Sequence, residues 1–266
     1  MLSLEALRES SEKRGMPVSK MRGVLREYLQ IVLLKALYNL PEARRFCFTG
    51  GTYLRLVYGT KRFSEDLDFN GKKIEKKEFE AVAQKLAAEA EKNGIKAGIS
   101  FSHRENLLIA DLSFPQVEKE YGITSKYGNS GIVIKLDMNR PKWKINPETE
   151  VVSGYGITTP VVCTQKGAFF ADKIDALIKK DRARHLFDII FMLSEKFPVD
   201  DAVMKMLGLK NNPFNLILER VNGLSEKQLK IYADQLKPFL FDERDVSLIL
   251  NAKAILPGLI ARYESA

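Results

Sequence analysis

Apolar side chains at Val24, Leu25, Tyr28, Ile31 and Val32 recur at helical spacing within "SKMRGVLREYLQIVLLKALYNL". A shorter helix is expected over residues 3–13, and Pro41 follows the longer one. The apolar run "FCF" at 46–48 stops at a glycine pair, as a buried strand does. Residues 52–58 carry a helical pattern with Thr52 near its start, and "EDLDF" alternates like a strand. "EKKEFEAVAQKLAAEAEKNG" returns to helical spacing and ends at Gly94, a residue suited to a helix C-terminus. Strand-like stretches follow at 95–103, 106–114 and 131–138. Beyond Pro160 the pattern is helical, through "TQKGAFFADKIDALIKK" and "ARHLFDIIFMLSEKF" to Ala266. The expected order is N-terminal helices over 1–40, an α/β core over 41–160 and a helical region over 161–266.

Alternation also decides which side chains share a strand face. Ser64, Asp66 and Asp68 fall on one face of "SEDLD", and Leu67 and Phe69 fall on the other, toward the core. Two carboxylates at adjacent same-face positions repel each other. Water or a divalent cation relieves that repulsion. Mg²⁺ takes carboxylate oxygens and leaves positions for phosphates and water, and two such ions can stabilise both oxygens of a displacement at phosphorus. Gly50 and Gly51, lacking Cβ, let the backbone turn sharply and approach a ligand. Their N–H groups can face an anionic oxygen. The stretch therefore reads either as a solvated acidic strand end or as the metal and phosphate halves of a nucleotide site. A third carboxylate would come from a neighbouring strand. "GIVIKLDMN" sets Val133, Lys135 and Asp137 on one face against Ile132, Ile134, Leu136 and Met138, and Asp111 in "LLIADLSF" is the rival.

Composition narrows this picture modestly. Among 266 residues, Lys and Arg number 42 against 34 Asp and Glu, a net charge of +8 that suits a polyanionic partner without selecting one. Cys47 and Cys163 are far apart and form no CxxC, which disfavours a disulfide framework or a cysteine zinc site. Each is expected to pack as a small hydrophobe in a reducing compartment. The N-terminus lacks a signal peptide's apolar stretch, and "YLQIVLLKALYNL", interrupted by Gln30 and Lys35, is too short to span a bilayer. A cytoplasmic protein with no membrane partner is expected.

The set "GGT", "RFSEDLDF", a later aspartate-bearing strand and "KIDALIKKDRARHLFDI" resembles the AbiEii/AbiGii toxin family, over roughly residues 45–195. These are nucleotidyltransferase-like toxins of type IV-like toxin–antitoxin pairs. The resemblance implies an α+β nucleotidyltransferase fold, a small mixed sheet with flanking helices, joined to N-terminal helices and a helical C-terminal region. It implies Mg²⁺ or Mn²⁺ at Asp66, Asp68 and Asp137, favouring Asp137 over Asp111. Gly50, Gly51 and Thr52 match the phosphate-facing turn, Ser64 the serine beside the acidic pair, and Arg62 its basic neighbour. Lys173 matches the lysine taken to contact nucleotide phosphates, and Asp188 the aspartate of an "RDLFDL"-like helix. His185 departs from that pattern, standing where an acidic residue is common. Fourteen residues separate Gly51 from Asp66, more than in the general nucleotidyltransferase pattern.

Spacing supplies a second reading for several of these residues. Lys173 flanks an apolar helix face of Phe170, Ile174, Leu177 and Ile178, from which a lysine ordinarily reaches water. Asp188 sits in an almost wholly apolar helix and needs a partner, either Arg184 four residues earlier or Lys173. His103 and His185, the only histidines, read as solvated or packed, with a general base as the alternative for either. Arg44, Arg45, Lys61, Arg62 and "NRPKWK" (139–144) supply cations for RNA, with Trp143 either stacking a base or buried.

The expected activity is NMP transfer from an NTP, with pyrophosphate released. By resemblance the acceptor is the 3′ end of tRNA, the outcome is growth arrest, and the partner is an antitoxin, a DNA-binding regulator encoded nearby. Transfer to protein or a small molecule, and a non-catalytic nucleotide- or RNA-binding module, are the alternatives.

Overall fold

The computed structural model describes residues 1–71, 73–123 and 131–265. It divides into two compact units, Met1–Pro141 with Pro147–Thr164, and Lys142–Asn146 with Gln165–Ala266.

The first unit contains, in chain order, α1 (Leu4–Lys13), α2 (Met21–Tyr38), β1 (Cys47–Thr49), α3 (Gly50–Tyr58), β2 (Leu67–Asn70), α4 (Lys76–Lys92), β3 (Gly98–Phe101), β4 (Leu107–Phe114), α5 (Val117–Glu120), β5 (Ile132–Asn139), β6 (Pro147–Gly154) and β7 (Ile157–Thr164). The strands form one mixed sheet in the order β3-β4-β5-β2-β1-β7-β6. β2 runs parallel to β5 and antiparallel to β1, so the acidic strand is the central one of the seven and lies directly beside the strand bearing Asp137.

One sheet face is apolar by simple alternation. Leu108, Ala110, Leu112 and Phe114 of β4 and Ile132, Ile134, Leu136 and Met138 of β5 are all buried. α4 lays Phe79, Val82, Ala83 and Leu86 onto β3 and β4. Fully burying one such side chain is worth about 1.5–3 kcal/mol. α2 is buried on most of its circumference, and its Glu27 is held by Arg55 at 2.7 Å and Arg14 at 2.9 Å. Gly94 ends α4 with φ +78°, as its position implied.

Three details differ from the sequence reading. α3 begins at Gly50 rather than 52. Asp66 precedes β2 instead of lying within it. A hairpin, β6–β7, occupies 147–164, with Pro160 inside a strand. Its two-residue turn places Tyr155 at φ 55° and Gly156 at φ 74°, the left-handed pair that suits the twist of a tight hairpin.

The second unit is helical: α6 (Lys166–Lys179), α7 (Ala183–Ser194), α8 (Asp201–Met206), α9 (Pro213–Asn222), α10 (Glu226–Leu236), α11 (Val246–Leu250) and α12 (Ala252–Glu264). Side chains of Asp200, Asn212 and Ser225 cap α8, α9 and α10. Arg220 ties α9 to α6 through the Leu177 carbonyl at 3.1 Å and to Asp181 at 3.0 Å. No single helix among the described residues is long and apolar enough to cross a membrane; one broken pair, 243–250 with 252–264, meets the test by length and composition but is bent by 81°.

Candidate active site

The parallel pairing of β2 and β5 sets Asp68 directly beside Asp137, with Leu67 beside Leu136 and Phe69 beside Met138 in the core. Asp66 flanks them from the residue before the strand. Asp111 pairs with Lys135, one strand further out and two residues along β5, so Asp137 is the carboxylate that adjoins Asp68. Burial, then the negative charges of Asp68 and Asp66, push the Asp137 carboxyl up from 3.8 to about 7, with Lys135 offsetting part of the rise. Its Oδ1 is buried without a hydrogen-bond partner.

The glycine pair makes this face possible by steric means. Gly50 starts α3 at φ +82°, and a Cβ there would overlap Asp68 Oδ2. A Cβ on Gly51 would come within 2.5 Å of Arg62 Nη2 and 2.8 Å of Ser64 Oγ. The space the glycines leave is filled by the site's own side chains.

Residues 62–66 are held from two helices. From α2, Gln30 donates to the Ser64 carbonyl at 3.1 Å and Arg26 pairs with Glu65 at 2.8 Å. Gly23 of α2 leaves room for the Phe63 ring, which would lie 2.8 Å from a Cβ at that position. From α3, the Thr52 hydroxyl donates to the Asp66 carbonyl. Arg62 is 2% exposed and donates to the Phe63 carbonyl at 3.1 Å. The side chains of Thr52 and Arg62, expected to face a nucleotide, are thus buried and brace the acidic segment. Gln30 and Arg26 were missed as site residues; the signal was a glutamine interrupting the apolar run of α2.

In the second unit Lys173 Nζ meets Asp188 Oδ2 at 2.7 Å, with the two side chains 8% and 0% exposed. The ammonium also lies 5.5 Å from the Phe169 ring centroid. Lys173 therefore does not reach out to water, because the buried carboxylate of α7 holds it. His185 is buried nearby in charge terms: burial first, then the positive Lys173, bring its imidazole down to about 3, partly offset by Asp188, and neither ring nitrogen has a partner. His103 is packed, its Nδ1 accepting from the Ile109 N–H at 3.2 Å and its Nε2 2.9 Å from Glu80. Trp143 is buried and offers no open ring face, so the stacking alternative fails. Arg44, Lys61, Lys142 and Lys144 are exposed, while Arg45 pairs with Glu78 and Arg140 donates to the Ile74 carbonyl. Both thiols are buried, and burial raises Cys47 to about 11.

The donor set of Asp66, Asp68 and Asp137 fits a hard divalent cation: oxygen ligands, mutual repulsion and a buried oxygen without a partner. Among the described residues no group of three or more His, Cys, Asp or Glu side chains is placed to hold a metal ion as they stand, so the three aspartates form an acidic face rather than a coordination shell.

A mixed sheet with this acidic face and added helices is a nucleotidyltransferase fold. Similar solved structures include MenT4, the nucleotidyltransferase toxin Rv2826c of Mycobacterium tuberculosis, at 17% identity and TM-score 0.59, covering 96% of this chain and 99% of that one. A putative nucleotidyltransferase from Helicobacter pylori aligns at 18% identity and TM-score 0.55, covering 92% and 97%. JHP933, also from Helicobacter pylori, aligns at 19% and 0.51, covering 92% and 94%. At those identities the likeness is one of fold. The chain belongs to the AbiEii family, whose profile, described as nucleotidyl transferase AbiEii toxin of a type IV toxin–antitoxin system, matches residues 32–255. It is accordingly a nucleotidyltransferase of a toxin family, and membership implies an antitoxin partner. No curated protein sequence matches it.

Proposed function

We propose that the protein is a metal-dependent toxin that transfers an NMP from an NTP to the 3′ end of tRNA, arresting growth when its antitoxin is absent. The observation that carries this is the registered Asp68–Asp137 pair with Asp66 beside it, an acidic face in which one buried Asp137 oxygen has no hydrogen-bond partner. Mg²⁺ or Mn²⁺, when bound, would supply charge neutralisation at the phosphates, and Asp66, Asp68 and Asp137 would hold it.

The remaining work falls to the chain's own groups. The N–H groups of Gly50 and Gly51, in the first turn of α3, would be offered to the phosphates. Ser64 keeps its hydroxyl beside the turn. A hydroxyl oxygen of the acceptor bonds to the α-phosphorus while the bond from that phosphorus to the bridging oxygen of the β-phosphate breaks, and pyrophosphate leaves. The hydroxyl proton passes to the carboxylate of Asp137, one of whose oxygens is buried without a hydrogen-bond partner. Family likeness assigns Lys173 to nucleotide phosphates, and Asp188 fixes its ammonium.

The test offers purified protein labelled NTPs, Mn²⁺ or Mg²⁺, and total tRNA, protein or small hydroxyl compounds as acceptors. Label should move to tRNA and stop in excess EDTA. Label on protein alone would sink the RNA acceptor, and transfer in EDTA would sink the metal.

A further inference from the structure

Asp66 stands one residue before β2, outside the registered pairing that orients Asp68 and Asp137. Its backbone is fixed by side chains instead. The Thr52 hydroxyl of α3 donates to the Asp66 carbonyl, and two residues upstream Gln30 of α2 donates Nε2 to the Ser64 carbonyl at 3.1 Å. Thr52 is 0% and Gln30 1% exposed, so neither has water as an alternative partner. A buried polar group left unpaired is costly, which holds both bonds in place.

We propose that Thr52 and Gln30 are positioning residues that aim Asp66 and thereby set the affinity of the acidic face for a divalent cation. This rests on the metal-dependent reading above. It gives Thr52 a part different from phosphate contact, because the single hydroxyl proton is committed to the Asp66 carbonyl. Packing supports the same part. Phe63 seats in the space left by Gly23, and Arg62 and Ser64 seat against Gly51, so the segment leading to Asp66 is clamped on both sides. The two donors then fix the backbone from which the Asp66 carboxylate projects.

The experiment measures Mn²⁺ binding to the full chain by electron paramagnetic resonance, for wild type, Thr52→Val, Thr52→Ser, Gln30→Met and Asp66→Asn. Valine keeps the shape of threonine and removes the donor. Loss of an outer partner of a metal ligand typically weakens affinity about 10–100-fold. Thr52→Val should bind Mn²⁺ about tenfold more weakly, Thr52→Ser should recover wild-type affinity, and Gln30→Met should fall between. With Mn²⁺ saturating, KM for the NTP should stay unchanged in Thr52→Val. Wild-type Mn²⁺ affinity in Thr52→Val overturns the inference, and so does a raised KM with Mn²⁺ affinity intact, which would return Thr52 to the phosphates. If Thr52→Val does not fold, wild-type affinity in Gln30→Met overturns it. A wild-type chain that binds no Mn²⁺ overturns this inference together with the metal-dependent reading; binding by wild type, unaltered in both variants, overturns this inference alone.

Discussion

Asp137 and Asp188 are both carboxylates set among apolar side chains, and their surroundings treat them oppositely. Asp188, fully buried on α7, has a lysine ammonium 2.7 Å away. Asp137, half-buried on β5, has two further aspartates for neighbours and one buried oxygen with no partner. Burying a charge is costly unless it is paired. The second unit meets that cost internally, with an ion pair closed at both ends. The first unit leaves it unmet, and a chain departs from polar satisfaction mainly where something from outside completes the arrangement. The contrast separates a carboxylate whose partner is internal, holding the Lys173 ammonium at a fixed point, from one whose buried oxygen is left for a partner from outside.

The strongest test removes the open face. Asp68→Asn keeps the shape beside Gly50 and deletes the charge. Metal stabilisation of a transition state is worth several kcal/mol, so labelled-NTP transfer should fall by about three orders of magnitude or more. A thermal melt of the metal-free variant beside the assay separates lost chemistry from lost folding. Full transfer by this variant would erase the distinction between the two regions.

The closed pair should respond in the reverse sense. Lys173→Met removes the ammonium 2.7 Å from the buried Asp188 carboxylate, and breaking a buried pair from one side costs about 3–5 kcal/mol. Urea unfolding should show that loss, and Lys173→Met combined with Asp188→Leu should recover most of it. Unaltered stability in the single variant would mean that the ammonium is not what keeps Asp188 buried. Nucleotide affinity should be compared in the double variant, where folding no longer masks it.

Much of this was legible in the chain. β5 read correctly because one of its faces is fully buried, so Ile132, Ile134, Leu136 and Met138 alternate cleanly with Val133, Lys135 and Asp137. The β6–β7 hairpin was not, since "PETEVVSG" is an exposed edge strand without alternation and Pro160 suggested a break. The signal there was Tyr155-Gly156 between β-branched runs. Asp188's need of a partner could be read from its apolar helix, but the choice of Lys173 over Arg184 depends on how α6 meets α7, which no local period encodes. The glycine pair was visible, whereas its packing against Asp68, Arg62 and Ser64 depends on contacts up to eighteen residues away in sequence.

A smaller effect sharpens the contrast through pH. The Asp137 carboxyl titrates at 3.8 when free and at about 7 in the fold. Between those values the folded chain keeps a proton that the unfolded chain has released, so stability falls as pH rises through this window and is lowest above it. Asp137→Asn should therefore raise the melting temperature of the metal-free protein at pH near 8. After allowance for solvent screening a gain of about 1 kcal/mol, roughly 2–4 °C, is expected. The gain should shrink toward pH 4, measured by calorimetry in EDTA. A gain that is equal at both ends of the window would show that Asp137 carries no excess charge penalty.

The least effect concerns the cations outside both regions. Lys61 and Lys144 are exposed, whereas Arg62 is buried against its own segment. If RNA is the acceptor, each exposed lysine that meets a phosphate releases a counterion, and for single strands the slope of log affinity against log salt changes by about 0.7 per contact. Lys61→Gln and Lys144→Gln should each flatten the slope by about that amount, measured by filter binding of total tRNA across a salt series. Trp143→Phe should leave the slope untouched, because the indole is enclosed. Arg62→Lys should change the slope little while lowering the melting temperature, because its guanidinium braces the acidic segment instead of meeting solvent. A slope that drops with Arg62 and stays constant with the lysines would reverse the assignment and place the buried arginine among the RNA contacts.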